Sequence, residues 1–142
     1  MSADERIFVD TNVLVYAYDT SAGVKHETAR NLLRELWQSG TGCLSVQVLQ
    51  ELAVTLTQKI PTPLDTRTTT SILEDLTHWR IHEPGAADVV GALELRKRFQ
   101  LSFWDAMLLR SAAELECVTL YSEDLNAGQR YGSVLVVNPF QE

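Results

Sequence analysis

The sequence predicts an α/β fold: a single three-layer α/β/α domain over residues 1–142, built on a parallel sheet of about five strands. Three observations carry that reading. Short, β-branched apolar runs recur along the chain, and segments of helical periodicity separate them. The runs at residues 117–122 and 134–137 are apolar without alternation, as expected of strands buried on both faces. A chain of 142 residues with 45% hydrophobic content is long enough for one well-packed core and too short for two.

The elements follow in order. Ile7, Phe8 and Val9 read as a buried strand, and Val13, Leu14 and Val15 continue the apolar character beyond Asp10, Thr11 and Asn12. Residues 25–37 place Ala29, Leu32, Leu33, Leu36 and Trp37 at helical spacing. "GTGCLS" supplies turn signals and then a short strand ending near Ser45. Residues 46–59 are helical, with Val48, Leu49, Leu52 and Leu56 as the apolar stripe. "KIPTPLD" reads as a loop, residues 66–78 as a further helix, and "HWRIHEP" as a third strand stopped at Pro84. After a helix over 86–99, Ser102 is the expected N-cap of the next, with Asp105 three residues on completing the cap pattern. Strands alternating with helices imply right-handed crossovers and helices on both faces of the sheet.

The formal net charge is −7, which argues against a protein whose main task is coating nucleic acid. It leaves open an enzyme that acts on nucleic acid through bound metal. No segment approaches the roughly 18 consecutive apolar residues of a membrane span. "MSADER" is polar, with no apolar signal region after it, so a cytoplasmic protein without a membrane partner is expected. Cys43 and Cys117 sit in apolar stretches and read as small, reduced, buried hydrophobes. His26, His78 and His82 lack zinc-like spacing and read as surface or packing residues. Phe103 and Trp104 are expected to wedge their helix start into the core.

The acids raise the functional question. In an open parallel sheet, ligands bind outside the carboxyl ends of the strands. Asp10 follows the first strand and Asp124 follows the fourth, so both reach the same edge; Glu51 and Asp105 lie early in helices that lead away from it. Two such charges about 4 Å apart repel by roughly 4 kcal/mol at an effective dielectric near 20. Protonation, pairing with Lys or Arg, and a divalent cation are the three remedies. The local sequences "VDTN", "LQELA", "FWDAM" and "SEDLN" contain no Lys or Arg, and hard oxygen ligands suit Mg²⁺ or Mn²⁺. Each acid also has an ordinary reading: a turn cap for Asp10, a helix cap for Asp105, a solvated residue for Glu51, a turn residue for Asp124. Together those readings require four coincidences at one edge.

At these residues the chain resembles the PIN domains, and among them the VapC-type toxins of toxin–antitoxin operons. The resemblance runs through "FVDTNVLVYAYD", "LSVQVLQELAVTLTQK" and "LSFWDAMLLRSAAELECVTLYSEDLNAGQ" to "VVNPF", in the family's order. It implies a metal-dependent endoribonuclease, with Asp10, Glu51, Asp105 and Asp124 as metal ligands and catalytic acids and Mg²⁺ or Mn²⁺ as cofactor. Asn12 and Ser122 match positions that shape the acidic pocket. The resemblance further implies an RNA substrate, a cognate antitoxin and a homodimer. Arg96, Lys97, Arg98 and Arg130 are candidates for tracking RNA, with Lys59 and Arg110 beside them, although a solvated patch explains each equally well.

Other readings remain. A PIN nuclease of RNA processing, without a toxin role, fits the same residues, and so does a non-catalytic PIN module, though that reading predicts loss of an acid and none is lost. A receiver-like phosphoacceptor wants an acidic pair after the first strand and a lysine after the last; Asp10 stands alone and "VVNPF" has no lysine. A dehalogenase-like phosphatase wants a second acid where this chain has Asn12.

Overall fold

A computed structural model describes residues 5–141; residues 1–4 and 142, the ends of the expected 1–142 domain, lie outside the described residues. Strand β1, Arg6–Val9, leads directly into helix α1, Thr11–Tyr18, because Asp10 caps the helix with its carboxylate on the amide of Thr11. A single 3₁₀ turn, Thr20–Ala22, precedes α2, Val24–Ser39, which Gly40 ends in the left-handed conformation at φ 70°. Strand β2, Gly42–Ser45, is buried throughout, and Ser45 caps α3, Val46–Val54. That helix does not stop there but widens into a π-helical turn, Thr55–Lys59. Helix α4, Thr66–Leu76, then leads to β3, Arg80–His82. Helix α5 spans Ala86–Phe99 and α6 spans Phe103–Glu114, with Ser102 capping α6 through the amide of Asp105. Strands β4, Cys117–Tyr121, β5, Arg130–Tyr131, and β6, Val134–Val137, complete the chain.

The sheet runs β3-β2-β1-β4-β6-β5. Every pairing is parallel except β5 with β6, an antiparallel hairpin that the sequence reading lacks. Five strands are therefore parallel and the sixth is a two-residue edge. Helices flank the sheet: α1 packs on α2 and α3, and α5 on α6, which lies over β2, β4 and β6. Phe8, Val9, Leu44, Leu120 and Val136 supply the sheet's share of the core, and Leu14, Leu33, Val48, Leu52 and Leu56 the helices' share. Each such side chain, fully buried, contributes about 1.5–3 kcal/mol. Cys43 and Cys117 are both free and buried, as expected. Strand β4 departs from the expectation of burial on both faces, since Val118 is exposed. No helix of the described residues is long and apolar enough to cross a membrane.

Strand order reverses between β1 and β4, where connections leave in opposite directions along the sheet. Such a switch point opens a crevice at the carboxyl ends of the two strands. Asp10 follows one of these ends, and Ser122, Glu123 and Asp124 follow the other.

Candidate active site

Asp10 is the deepest of the four acids, at 4% exposure. Its Oδ1 accepts from the Thr11 amide at 2.7 Å and its Oδ2 from the Ser122 hydroxyl at 2.8 Å. Ser122, fully buried, also accepts from the Asp124 amide at 3.1 Å, so one hydroxyl joins the two strand ends. Asn12 Nδ2 donates to Asp124 Oδ2 at 2.9 Å and lies 3.5 Å from Asp10 Oδ2. From the other side, the Thr11 hydroxyl donates to Glu51 Oε1 at 2.7 Å. Asp105 stands in the first turn of α6. All four acids line one cleft of about 570 Å³, with Thr11, Asn12, Gln47, Gln50, Lys59 and Trp104 among its other walls.

The electrostatics separate these acids from their neighbour Glu123. Burial pushes the Glu123 carboxyl up, but hydrogen bonds from Lys25 at 2.8 Å and Tyr16 at 2.5 Å outweigh it and leave the group below its ordinary range. Asp10 has no such cation. Burial, with the charges of Asp124 and Glu51 added, pushes its carboxyl up to about 7 against the bonds from Ser122 and Thr11. Among the described residues no Lys or Arg forms an ion pair with Asp10, Glu51, Asp105 or Asp124. Of the three remedies for crowded acids, burial favours protonation at Asp10, and among the described residues pairing with Lys or Arg is absent.

Hard oxygen donors without a counter-cation fit a divalent ion. Thr11 and Asn12 nevertheless hold Glu51 and Asp124 in place, and among the described residues no three His, Cys, Asp or Glu side chains converge as a direct ligand cluster. The cleft is a roomy acidic basin rather than a tight cage.

The pattern that defines the PIN domain matches residues 7–131. This chain belongs to the PIN domain family. Comparison with curated proteins gives no match. Among solved structures, the chain is similar to VapC20 of Mycobacterium tuberculosis, described as a sarcin–ricin loop cleaving toxin, at 22% identity and TM-score 0.62 over 83% of this chain and 89% of that one. A toxin–antitoxin complex from Klebsiella pneumoniae matches at 21% identity and TM-score 0.68, over 97% of this chain and all of the other. VapBC2 of Rickettsia felis, bound to promoter DNA, matches at 20% and 0.65, over 92% and 96%. At these identities the likeness is one of fold.

Against this PIN fold, Asp10, Glu51, Asp105, Asp124 and Asn12 come together around the cleft, with Ser122 buried behind it. The basic candidates do not gather there. Arg96, Lys97 and Arg98 are exposed in the last turn of α5, and Arg130 is exposed on the edge strand β5. Arg110 is engaged by Asp88 at 2.9 Å and Glu114 at 3.0 Å. Lys59 is the one basic side chain among the cleft-lining residues. Trp104 corrects the expectation of a core wedge: it is 62% exposed on the cleft wall, while Phe103 alone packs inward against the cluster of Ala92, Ala106 and Met107. Thr11 and Gln47 were not singled out from sequence, since a Thr or Gln in a helix carries no distinctive signal.

Proposed function

We propose that the protein is a Mg²⁺- or Mn²⁺-dependent endoribonuclease, the toxin of a type II toxin–antitoxin pair. It works in the cytoplasm as a homodimer restrained by a cognate antitoxin, with residues 1–142 as one nuclease domain. The observation that carries the nuclease reading is the group of four acids without a counter-cation lining one cleft, one of them pushed up to about 7. Support for the toxin role comes from the solved structures of similar fold, one described as a toxin and another as a toxin–antitoxin complex.

Asp10, Glu51, Asp105 and Asp124 would hold the ion. When bound, the ion supplies Lewis-acid stabilisation of charge on the scissile phosphate and lowers the pKa of an attacking water. Asp10, its carboxyl pushed up to about 7, would give its proton to solvent water on holding the ion as a carboxylate. Ser122 and the Thr11 amide keep its two oxygens oriented, and Asn12 and Thr11 do the same for Asp124 and Glu51. Lys59 offers the cleft's positive contact for the RNA backbone. The test is incubation of the purified protein with mixed RNAs, with and without EDTA, beside Asp10→Asn and Asp124→Asn. Endonucleolytic cleavage should require the ion and both acids. Cleavage that survives EDTA and both substitutions would sink the proposal.

A further inference from the structure

Among the described residues, two large apolar side chains that line the acid-lined cleft stand in solvent: Trp104, 62% exposed, and Val54, 42% exposed. Each accompanies an acid. Trp104 immediately precedes Asp105 at the start of α6. Val54 follows Glu51 by three residues on α3, a spacing that puts both on one helix face. Backbone atoms cannot supply that much of a tryptophan's surface, so the indole itself is open. A ring left in solvent forgoes one of the largest apolar burials a side chain offers. The position is nevertheless held. Gln47 Nε2 donates to the Trp104 carbonyl at 3.3 Å, and Ser102 caps the turn in which Trp104 sits. The Phe103 ring meets the indole edge to face, with centroids 5.1 Å apart and planes at 77°. Such a contact covers at most one face of the indole and leaves the other free.

Resting on the nuclease reading above, we infer that the exposed indole of Trp104 binds a nucleobase of the RNA by stacking, beside the phosphate that the acids process. An RNA chain alternates flat π faces with phosphates. The cleft offers the matching pair, an open indole next to Asp105 and four acids suited to a metal-bound phosphate. Its volume of about 570 Å³ lies within the range, roughly 300–1,000 Å³, of pockets that hold small ligands. Gln50 and Lys59, both exposed on the same cleft, offer contacts to a base edge and to the backbone. Stacking tolerates any sequence because every base has a π face, so Trp104 fixes where the chain lies rather than which base it carries. Bases inside a duplex are already stacked on one another, so the nucleotide at Trp104 is an unpaired one.

The test compares the binding of fluorescein-labelled random-sequence RNA octamers with that of abasic octamers, which keep the ribose–phosphate chain and lack bases. Ca²⁺ replaces Mg²⁺ to hold back cleavage, and gels check that the RNA stays intact. Wild type should bind the RNA about tenfold or more tightly than the abasic chain. Trp104→Leu should lose that difference by weakening RNA binding alone, and Trp104→Phe, which keeps a smaller ring, should restore part of it. Thermal unfolding reports whether each variant is folded. A second measurement needs no variant: RNA, and not the abasic chain, should quench indole fluorescence, since Trp37 and Trp79 are not among the cleft-lining residues. Equal affinity of the wild type for the two octamers overturns the inference, and the ring then serves a partner protein instead. An undiminished preference for RNA in folded Trp104→Leu overturns it too; if that variant does not fold, the abasic comparison and the quenching decide. RNA cleavage by a wild type without base preference leaves the nuclease reading standing and removes this inference alone. A wild type that neither binds nor cleaves RNA removes both.

Discussion

Burial of Asp10 beside Asp124 and Glu51 costs the free protein stability that the bonds from Ser122 and Thr11 do not restore, since the carboxyl still sits up to about 7. An acid whose folded value is raised binds more protons folded than unfolded between its unfolded value near 3.8 and about 7. Its contribution therefore favours folding at low pH and is lost as pH rises through that window. Asp10→Asn keeps the shape and removes the charge. At pH 8 without metal it should be more stable than wild type by about 1–3 kcal/mol in urea unfolding, while RNA cleavage is lost. A variant that is both active and no more stable would deny Asp10 this double role. Asp10 and Asp124 are legible in sequence because each follows an apolar strand run, whereas Glu51 and Asp105, set in helices, stand out through the resemblance to the family. The part of Thr11 is not legible, because only the fold brings its hydroxyl within 2.7 Å of Glu51, 40 residues away.

At the level of elements, the informative departure is the end of α3. The apolar stripe through Leu52 and Leu56 predicts one helix to residue 59, and its extent is right. The change of pitch is not readable from periodicity, since one π turn shifts the register by a single residue. The Ile60 amide reaches back to the Thr55 carbonyl at 3.2 Å, and the turn brings Thr55 and Lys59 to the cleft wall. Lys59→Ala should weaken RNA binding across sequences and reduce the slope of log K against log salt by about 1, as loss of one phosphate contact does. Fluorescence-anisotropy titrations at several salt concentrations check this, and an unchanged slope would remove Lys59 from the RNA path. Two other elements escaped the sequence reading for plain reasons. "VLVYAY" in α1 is a short apolar run that periodicity cannot separate from a strand, and β5 is two residues long.

For the whole molecule, the sheet order places the β1 and β4 ends side by side, and that crossover, inferred from alternation of strands and helices, is why separated acids meet. With a net charge of −7 and, among the described residues, no ion pair at the four acids, the fold carries electrostatic strain that the proposed divalent ion would relieve. Binding to the folded state alone stabilises by RT ln(1 + [L]/Kd), about 2.7 kcal/mol at a hundredfold excess over Kd. A domain of this size then gains roughly 2–4 °C in Tm per kcal/mol. The gain must depend on pH, because below about 7 the ion has to displace the proton on Asp10. Metal-free Tm should fall between pH 5 and pH 8 by the Asp10 contribution, and added Mn²⁺ should raise Tm more at pH 8 than at pH 6. Differential scanning calorimetry with and without the ion reads both slopes at once. An increment equal at the two pH values would mean that the ion binds away from Asp10, and the acid-lined cleft would lose its claim to be the metal site.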